Sequence, residues 1–374
     1  MTSSTLKLGI IGGLGTMASP SARHWTTPDS TVRVLRVHDR GTPGTMRDAA
    51  RAAWKNHGAM LVSSYTTLVG PAEIDGVIIC CGKNGEDANI VAQVATLLAE
   101  RAKGKFICHL STVSTCFAKS AQEFCAELGV TYVNYPLTGG SKGAESAKML
   151  ILASGDEKLF ARLSPALSRI GVPQYFGERA EAGAEVKFMS HLMVFGGLVG
   201  ITSAVAVHTD CFAGGKIGAA GQGEFFDFLN NGAGGTKQWD LSTSLGVKQN
   251  TWEAAWAIKY AVIDAVYAVN LCLQRGTSRL AVDSVLRLIL AFSYVLNKVG
   301  ENFATQSIVR EMIASRAAEM DQFIAQYYDS KLPAEKILAS CITSLPKNLQ
   351  SQIALGLTAR DFENAAAQKI GKAS

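Results

Sequence analysis

Apolar positions follow two patterns along the chain. Short apolar runs at residues 6–11, 31–38, 74–81, 105–110, 131–135 and 147–153 predict strands. Between them, residues 16–27, 46–56, 89–101 and 115–128 space their apolar side chains with helical period. The run at 74–81 is apolar almost throughout, as a parallel strand buried on both faces requires. From residue 183 onward the strand pattern stops. Helical segments are expected at 185–208, 223–230, 251–274, 279–299, 305–328 and 349–369, with glycine-rich loops at 211–223 and 231–235. Strands alternating with helices predict a doubly wound α/β sheet with right-handed crossovers. The expected architecture is an α/β N-terminal domain, residues 1–182, followed by an all-α C-terminal domain, residues 183–374, that opens on a long boundary helix.

Composition narrows the class without changing this picture. Of the 374 residues, 48% are hydrophobic and 18% charged, which suits a globular chain with ample core. The net charge of +5 comes from 36 basic and 31 acidic residues that form no dense basic run, so no nucleic-acid partner is expected. The eight cysteines include no CxxC pair and no zinc-like spacing with histidine. No metal is expected, and a reducing cytoplasm is the expected location. The longest apolar stretch, 192–207, is short for a membrane span and is interrupted by Gly196, Gly197 and Gly200, so a buried helix rather than a membrane anchor is expected.

The first strand runs into Gly12-Gly13-Leu14-Gly15-Thr16-Met17-Ala18. An apolar strand, a glycine turn and a following helix make a seat for a dinucleotide pyrophosphate. Gly13 is expected to permit the turn and Gly15 to let the backbone approach the phosphates, with Leu14, Thr16 and Met17 completing the loop. The domain is therefore read as Rossmann-type. At the end of the second strand, Asp39 suits the ribose hydroxyls of NAD, while Arg40 beside it suits the 2′-phosphate of NADP. NAD is favoured of the two. Cys81, Gly82 and Thr112, at the ends of later strands, are further candidate cofactor contacts.

Several segments, in order, resemble the β-hydroxyacid dehydrogenase family, which includes 3-hydroxyisobutyrate, tartronate-semialdehyde and 6-phosphogluconate enzymes. Gly13-Leu14-Gly15-Thr16-Met17-Ala18-Ser19-Pro20 is similar to that family's GLGxMGxP start. Ser111-Thr112 resembles its DxST motif, with His109 in place of the acid. Thr138-Gly139-Gly140-Ser141-Lys142-Gly143-Ala144 resembles SGGxxGA, with Thr for Ser. Gly183-Ala184-Glu185-Val186-Lys187 matches GxxxK. Lys259 resembles the lysine of a later KD motif whose acid is Tyr260 here. The resemblance runs to about residue 275, and the stretch after about 300 has no counterpart in it.

This resemblance implies an NAD(P)-dependent oxidoreductase that moves a hydride between a nicotinamide and a small anionic hydroxy acid or its carbonyl form. Lys187 is the implied general acid/base. Ser111, Thr138, Gly139 and Gly140 are implied at the substrate carboxylate, and Lys259 near the anion. His191 stands where the family has Asn, one turn beyond Lys187, so it is a candidate to orient substrate or share the proton load. Alternative readings are an imine reductase-like NADPH enzyme and a nucleotide-binding protein without chemistry. A homodimer is expected, either with Trp239, Trp252 and Trp256 in a shared helical interface or with these rings packed inside one subunit.

Overall fold

The structure, a computed structural model, describes residues 5–25, 27, 30–38, 45–70, 73–101 and 103–370. It divides into two compact units, Met1–Lys187 with Ala354–Ser374, and Phe188–Ile353. In the first unit, strands β1 (Leu6–Ile11), β2 (Val32–His38), β3 (Met60–Val62), β4 (Gly76–Ile79), β5 (Phe106–His109) and β6 (Thr131–Asn134) form a parallel sheet in the order β3-β2-β1-β4-β5-β6. The order reverses between β1 and β4, which is the doubly wound arrangement read from the sequence. Every residue of β4 is buried, as its apolar run requires. Gly76 leaves room for the ring of Phe106 on β5, because a Cβ there would lie 2.5 Å from it. A second sheet pairs β7 (Leu137–Thr138) antiparallel with β8 (Met149–Ala153), and β8 parallel with β9 (Gly171–Tyr175).

The first helix departs from expectation. Residues 12–20 form successive turns, and the helix covers only Ser21–Trp25 rather than 16–27. The Gly15 carbonyl accepts from both Ala18 N–H and Ser19 N–H, and Pro20 has no N–H with which to extend a helical ladder. Three elements absent from the expectation share a cause: β3, β7 and the helix Tyr65–Val69 are too short to show a period. The helix Glu157–Leu167 was also absent from it, although Asp156 caps that helix by accepting from Leu159 N–H at 2.6 Å.

The second unit is helical, with no named strand among its described residues. Its central helix, Ile258–Gln274, is buried on most faces. The expected helix 251–274 starts only at Ile258, because Ala257 pairs with Ala304 in an isolated bridge. The expected helix 305–328 is broken, ending at Met312 and resuming at Ala317. Trp239 and Trp252 are buried with Ile201, Val205 and Phe226 in this unit's own core, so these two rings do not form a shared interface. The boundary helix spans Ala182–Phe212, 31 residues, and is apolar on nearly all sides. By length and composition it and Arg279–Val299 could each cross a bilayer, but 67% of the Arg279–Val299 window is buried inside the protein.

The chain returns to the first unit at its end. The expected tail helix 349–369 is two helices, Lys347–Ile353 and Ala359–Ile370, separated where Ala354 (φ 39°) and Gly356 (φ 82°) turn the backbone. The second of these packs on the helices Asn84–Ala99 and Thr115–Glu127. Phe362 is fully buried there, its ring 5.2 Å from Phe117 and 5.7 Å from Phe124. The Leu357 carbonyl accepts from Ser120 Oγ at 2.9 Å and from Cys116 Sγ at 3.1 Å. A helical domain running unbroken from 183 to 374 therefore does not describe this end of the chain. Phe362→Ala is expected to destabilise the first unit by about 3 kcal/mol; urea unfolding followed by circular dichroism measures this.

Candidate active site

The parallel register aligns Ile11, Ile79, His109 and Asn134 across four neighbouring strands. The candidate residues of the first unit follow from that row. The glycine turn leaves β1, Cys81-Gly82 leaves β4, Ser111-Thr112 leaves β5, and Leu137-Thr138 follows β6 by three residues. Ligands of doubly wound sheets bind outside the carboxyl ends of the strands, where the order reverses.

Within the glycine turn the left-handed residue is Gly12 (φ 80°), not Gly13. A Cβ on Gly12 would lie 2.2 Å from the Cys80 carbonyl oxygen, so β1 and β4 approach too closely there for any side chain. Gly13 serves packing instead: its carbonyl accepts from Trp54 Nε1 at 2.8 Å, and a Cβ would press on Val37. Gly15 and Thr16 are exposed, while Leu14 and Met17 pack partly against the core, so their backbone rather than their side chains faces the turn's surroundings. Asp39 and Arg40 lie outside the described residues.

The loops after β4 and β5 are stitched together. Ser111 Oγ accepts from Cys81 N–H at 2.9 Å and donates to the Cys81 carbonyl. Ser111 is buried, and Thr112 is half-buried. Asn134 Nδ2 donates to the carbonyls of His109 (2.9 Å) and Ser111 (3.1 Å), which joins β6 to the same loop. Asn84, at the start of its helix, accepts from Ser114 N–H at 2.9 Å and donates to Ser114 Oγ at 2.8 Å. Burial pushes the Cys80 thiol up to about 12, so it is an inert core thiol at neutral pH.

His109 is fully buried, its Nε2 2.9 Å from Asp87 Oδ2 and its Nδ1 2.8 Å from the Tyr132 hydroxyl. Burial raises the Asp87 carboxyl above the usual range, and the hydrogen bond with His109 opposes that rise. Asp87, Tyr132, Asn84 and Asn134 were not among the sequence candidates. The expected helix began at residue 89 and so left Asp87 in a loop. Buried polar residues on strands carry no periodic signal of their own.

Lys187 lies in the first turns of the boundary helix. It is 6% exposed, and its Nζ donates to the Leu137 carbonyl at 2.7 Å. Gly183 makes that reach possible, since a Cβ there would lie 2.3 Å from the Leu152 carbonyl oxygen. The hydrogen bond sets Lys187 one residue from Thr138. Thr138 is half-buried and Gly139 and Gly140 are exposed, opening the short helix Gly140–Glu145. The structure therefore brings Lys187 to the Thr138-Gly139-Gly140 segment.

His191 and Lys259 belong to the second unit. His191 is 3% exposed, packed 5.1 Å from the Trp256 ring and 5.7 Å from Phe195, with Nδ1 4.0 Å from Asp264 Oδ2. Lys259 is half-buried, its ammonium 5.7 Å from the Tyr260 ring. Among the described residues, no group of three His, Cys, Asp or Glu side chains is placed to hold a metal ion.

Residues 7–178 match the family described as the NAD binding domain of 6-phosphogluconate dehydrogenase. The 2-(hydroxymethyl)glutarate dehydrogenase of Eubacterium barkeri is 26% identical over 209 residues, which are 55% of this chain and 65% of that enzyme. Among solved structures, 3-hydroxyisobutyrate dehydrogenase from Salmonella typhimurium superposes with a TM-score of 0.67 at 19% identity, over 82% of this chain and 99% of that one. The Mycobacterium tuberculosis 3-hydroxyisobutyrate dehydrogenase, solved with L-serine, gives 0.64 at 18% identity, over 83% and 100%. At these identities the structural likeness shows the fold. The glycine turn, the strand order and this match agree over residues 7–178, and that part of the chain is similar to the NAD-binding half of β-hydroxyacid dehydrogenases.

Proposed function

We propose that the protein is an NAD(P)-dependent oxidoreductase acting on a small hydroxy acid or its carbonyl form. The observation that carries this reading is the buried Lys187 hydrogen-bonded at Leu137, beside the Thr138-Gly139-Gly140 turn. The first unit fits a nicotinamide dinucleotide on its own residues. Gly12 has no space for a side chain and takes a left-handed conformation, and exposed Gly15 leaves backbone open beside it. The glycine turn would hold the pyrophosphate, with Cys81-Gly82 and Thr112 further along the same edge. When bound, the nicotinamide supplies a hydride acceptor or donor.

The chain's own residues supply the rest. Lys187 takes a proton at Nζ as the alcohol is oxidised and returns one as the carbonyl is reduced. The Thr138 hydroxyl and the backbone N–H groups of Gly139 and Gly140 seat the substrate carboxylate. Ser111 contributes by fixing the β5 loop to Cys81. For His191 and Lys259, which belong to the second unit, the family resemblance implies a role at the substrate. Asp39 selects NAD over NADP, with Arg40 as the competing influence.

We also propose a homodimer built on the boundary helix. Met189, Met193, Gly196, Gly200, Ala204 and Val207 recur in steps of three and four and are all exposed, Met193 to 80%. Such a seam suits the close approach of a second copy of the same helix.

Lys187→Ala is expected to lower kcat by a factor on the order of a hundred while leaving cofactor affinity nearly intact. A nicotinamide-absorbance assay across hydroxy acids, aldehyde acids and imines measures it, and unchanged turnover would remove Lys187 from the chemistry. Asp39→Ala is expected to weaken NAD more than NADP in a binding titration; equal losses would count against Asp39 as the ribose ligand. Met193→Glu is expected to convert the dimer to a monomer in sedimentation velocity, and an unaltered dimer would move the interface elsewhere.

A further inference from the structure

We propose that Asp87, His109 and Tyr132 form a positioning set that holds the Cys81–Gly82 and Ser111–Thr112 loops in the shape that receives the nicotinamide nucleotide. The inference rests on the cofactor reading above. All three side chains are buried, at 0%, 0% and 1% exposure. One arrangement of protons satisfies every contact between them. His109 Nε2–H donates to Asp87 Oδ2, and His109 Nδ1 accepts the Tyr132 O–H. Burial raises the Tyr132 phenol well above its ordinary value, so it keeps the proton that it donates.

The set is joined to the loops rather than merely lying under them. Asp87 Oδ1 occupies the space that a Gly82 side chain would need, 2.0 Å from an ideal Cβ, and lies 3.7 Å from Cys81 Sγ. His109 ends β5 two residues before Ser111, whose hydroxyl is bonded to Cys81. The segment that follows β4 is thus tied to the end of β5 twice, at Cys81 through Ser111 and at Asp87 through His109. Displacing the carboxylate opens the space beside Gly82, and displacing the imidazole loosens the end of β5 from which the Ser111 loop departs.

A buried carboxylate is a costly way to fill a sheet core, since apolar residues of similar volume are as stable or more so. What the acid adds is a fixed geometry at the two loops. Position 109 is also where the resemblance expects an acid. In this chain the acid comes instead from the helix Asn84–Ala99, four residues after Lys83, and the imidazole at 109 receives it.

The test is titration of the purified full chain with NADH and with NADPH, read by nucleotide fluorescence well below each variant's melting temperature. Asp87→Asn is expected to raise Kd at least about tenfold, because a charge-assisted hydrogen bond is replaced by a neutral one. Tyr132→Phe, which removes one hydroxyl and keeps the ring, is expected to raise it about threefold. Variants that melt earlier yet bind as tightly as the unaltered chain would overturn this inference alone. An unaltered chain that takes up neither nucleotide would overturn both this inference and the cofactor reading.

Discussion

The parallel hydrogen-bond register of the six-stranded sheet is the constraint on which the rest depends. Because β1, β4, β5 and β6 run the same way and end in line, four successive chain exits open at one edge. Each exit adds one component: a glycine turn, a short loop, a serine loop and the segment that meets Lys187. A one-residue slip in any strand would turn its side chains to the opposite face and remove its loop from the row. The candidate site is therefore a property of the sheet before it is a property of any single residue.

Much of this was legible in the sequence, and the limits follow local physics. The central strands β4 and β5 are buried at every residue, and the apolar runs around them stand out for that reason. The long helices stand out for the complementary reason, their repeat. What escaped was short or aperiodic, such as the three-residue β3 and the two-residue β7. Helix ends were harder still. The turn after β1 replaced an expected helical start because the Gly15 carbonyl takes two turn hydrogen bonds before Pro20 ends the run.

Motif residues that the sequence set apart, Thr138–Gly140 and Lys187, meet in the structure, whereas in the glycine turn the left-handed residue is Gly12 and not the expected Gly13. The candidate site was not legible where a function is shared between distant residues. Nothing in the sequence pairs Asp87 with His109, because their meeting depends on the alignment of β4 beside β5 and on a helix that starts five residues earlier than its apolar period suggests. Ser111 shows the same limit. Its place after a strand was evident, but its hydroxyl is bonded to the Cys81 backbone, which only the three-dimensional structure reveals.

The docking of the last helix has a consequence for how the protein is made. Residues 354–370 pack with the first unit, although its last strand ends at residue 175. As the chain leaves the ribosome, the nucleotide-binding half forms its sheet early and then waits through the synthesis of the whole second unit. Throughout that interval the surface that will receive Phe362, on the helices carrying Phe117 and Phe124, remains uncovered. The first unit is therefore closed only by a helix that follows the whole second unit along the chain.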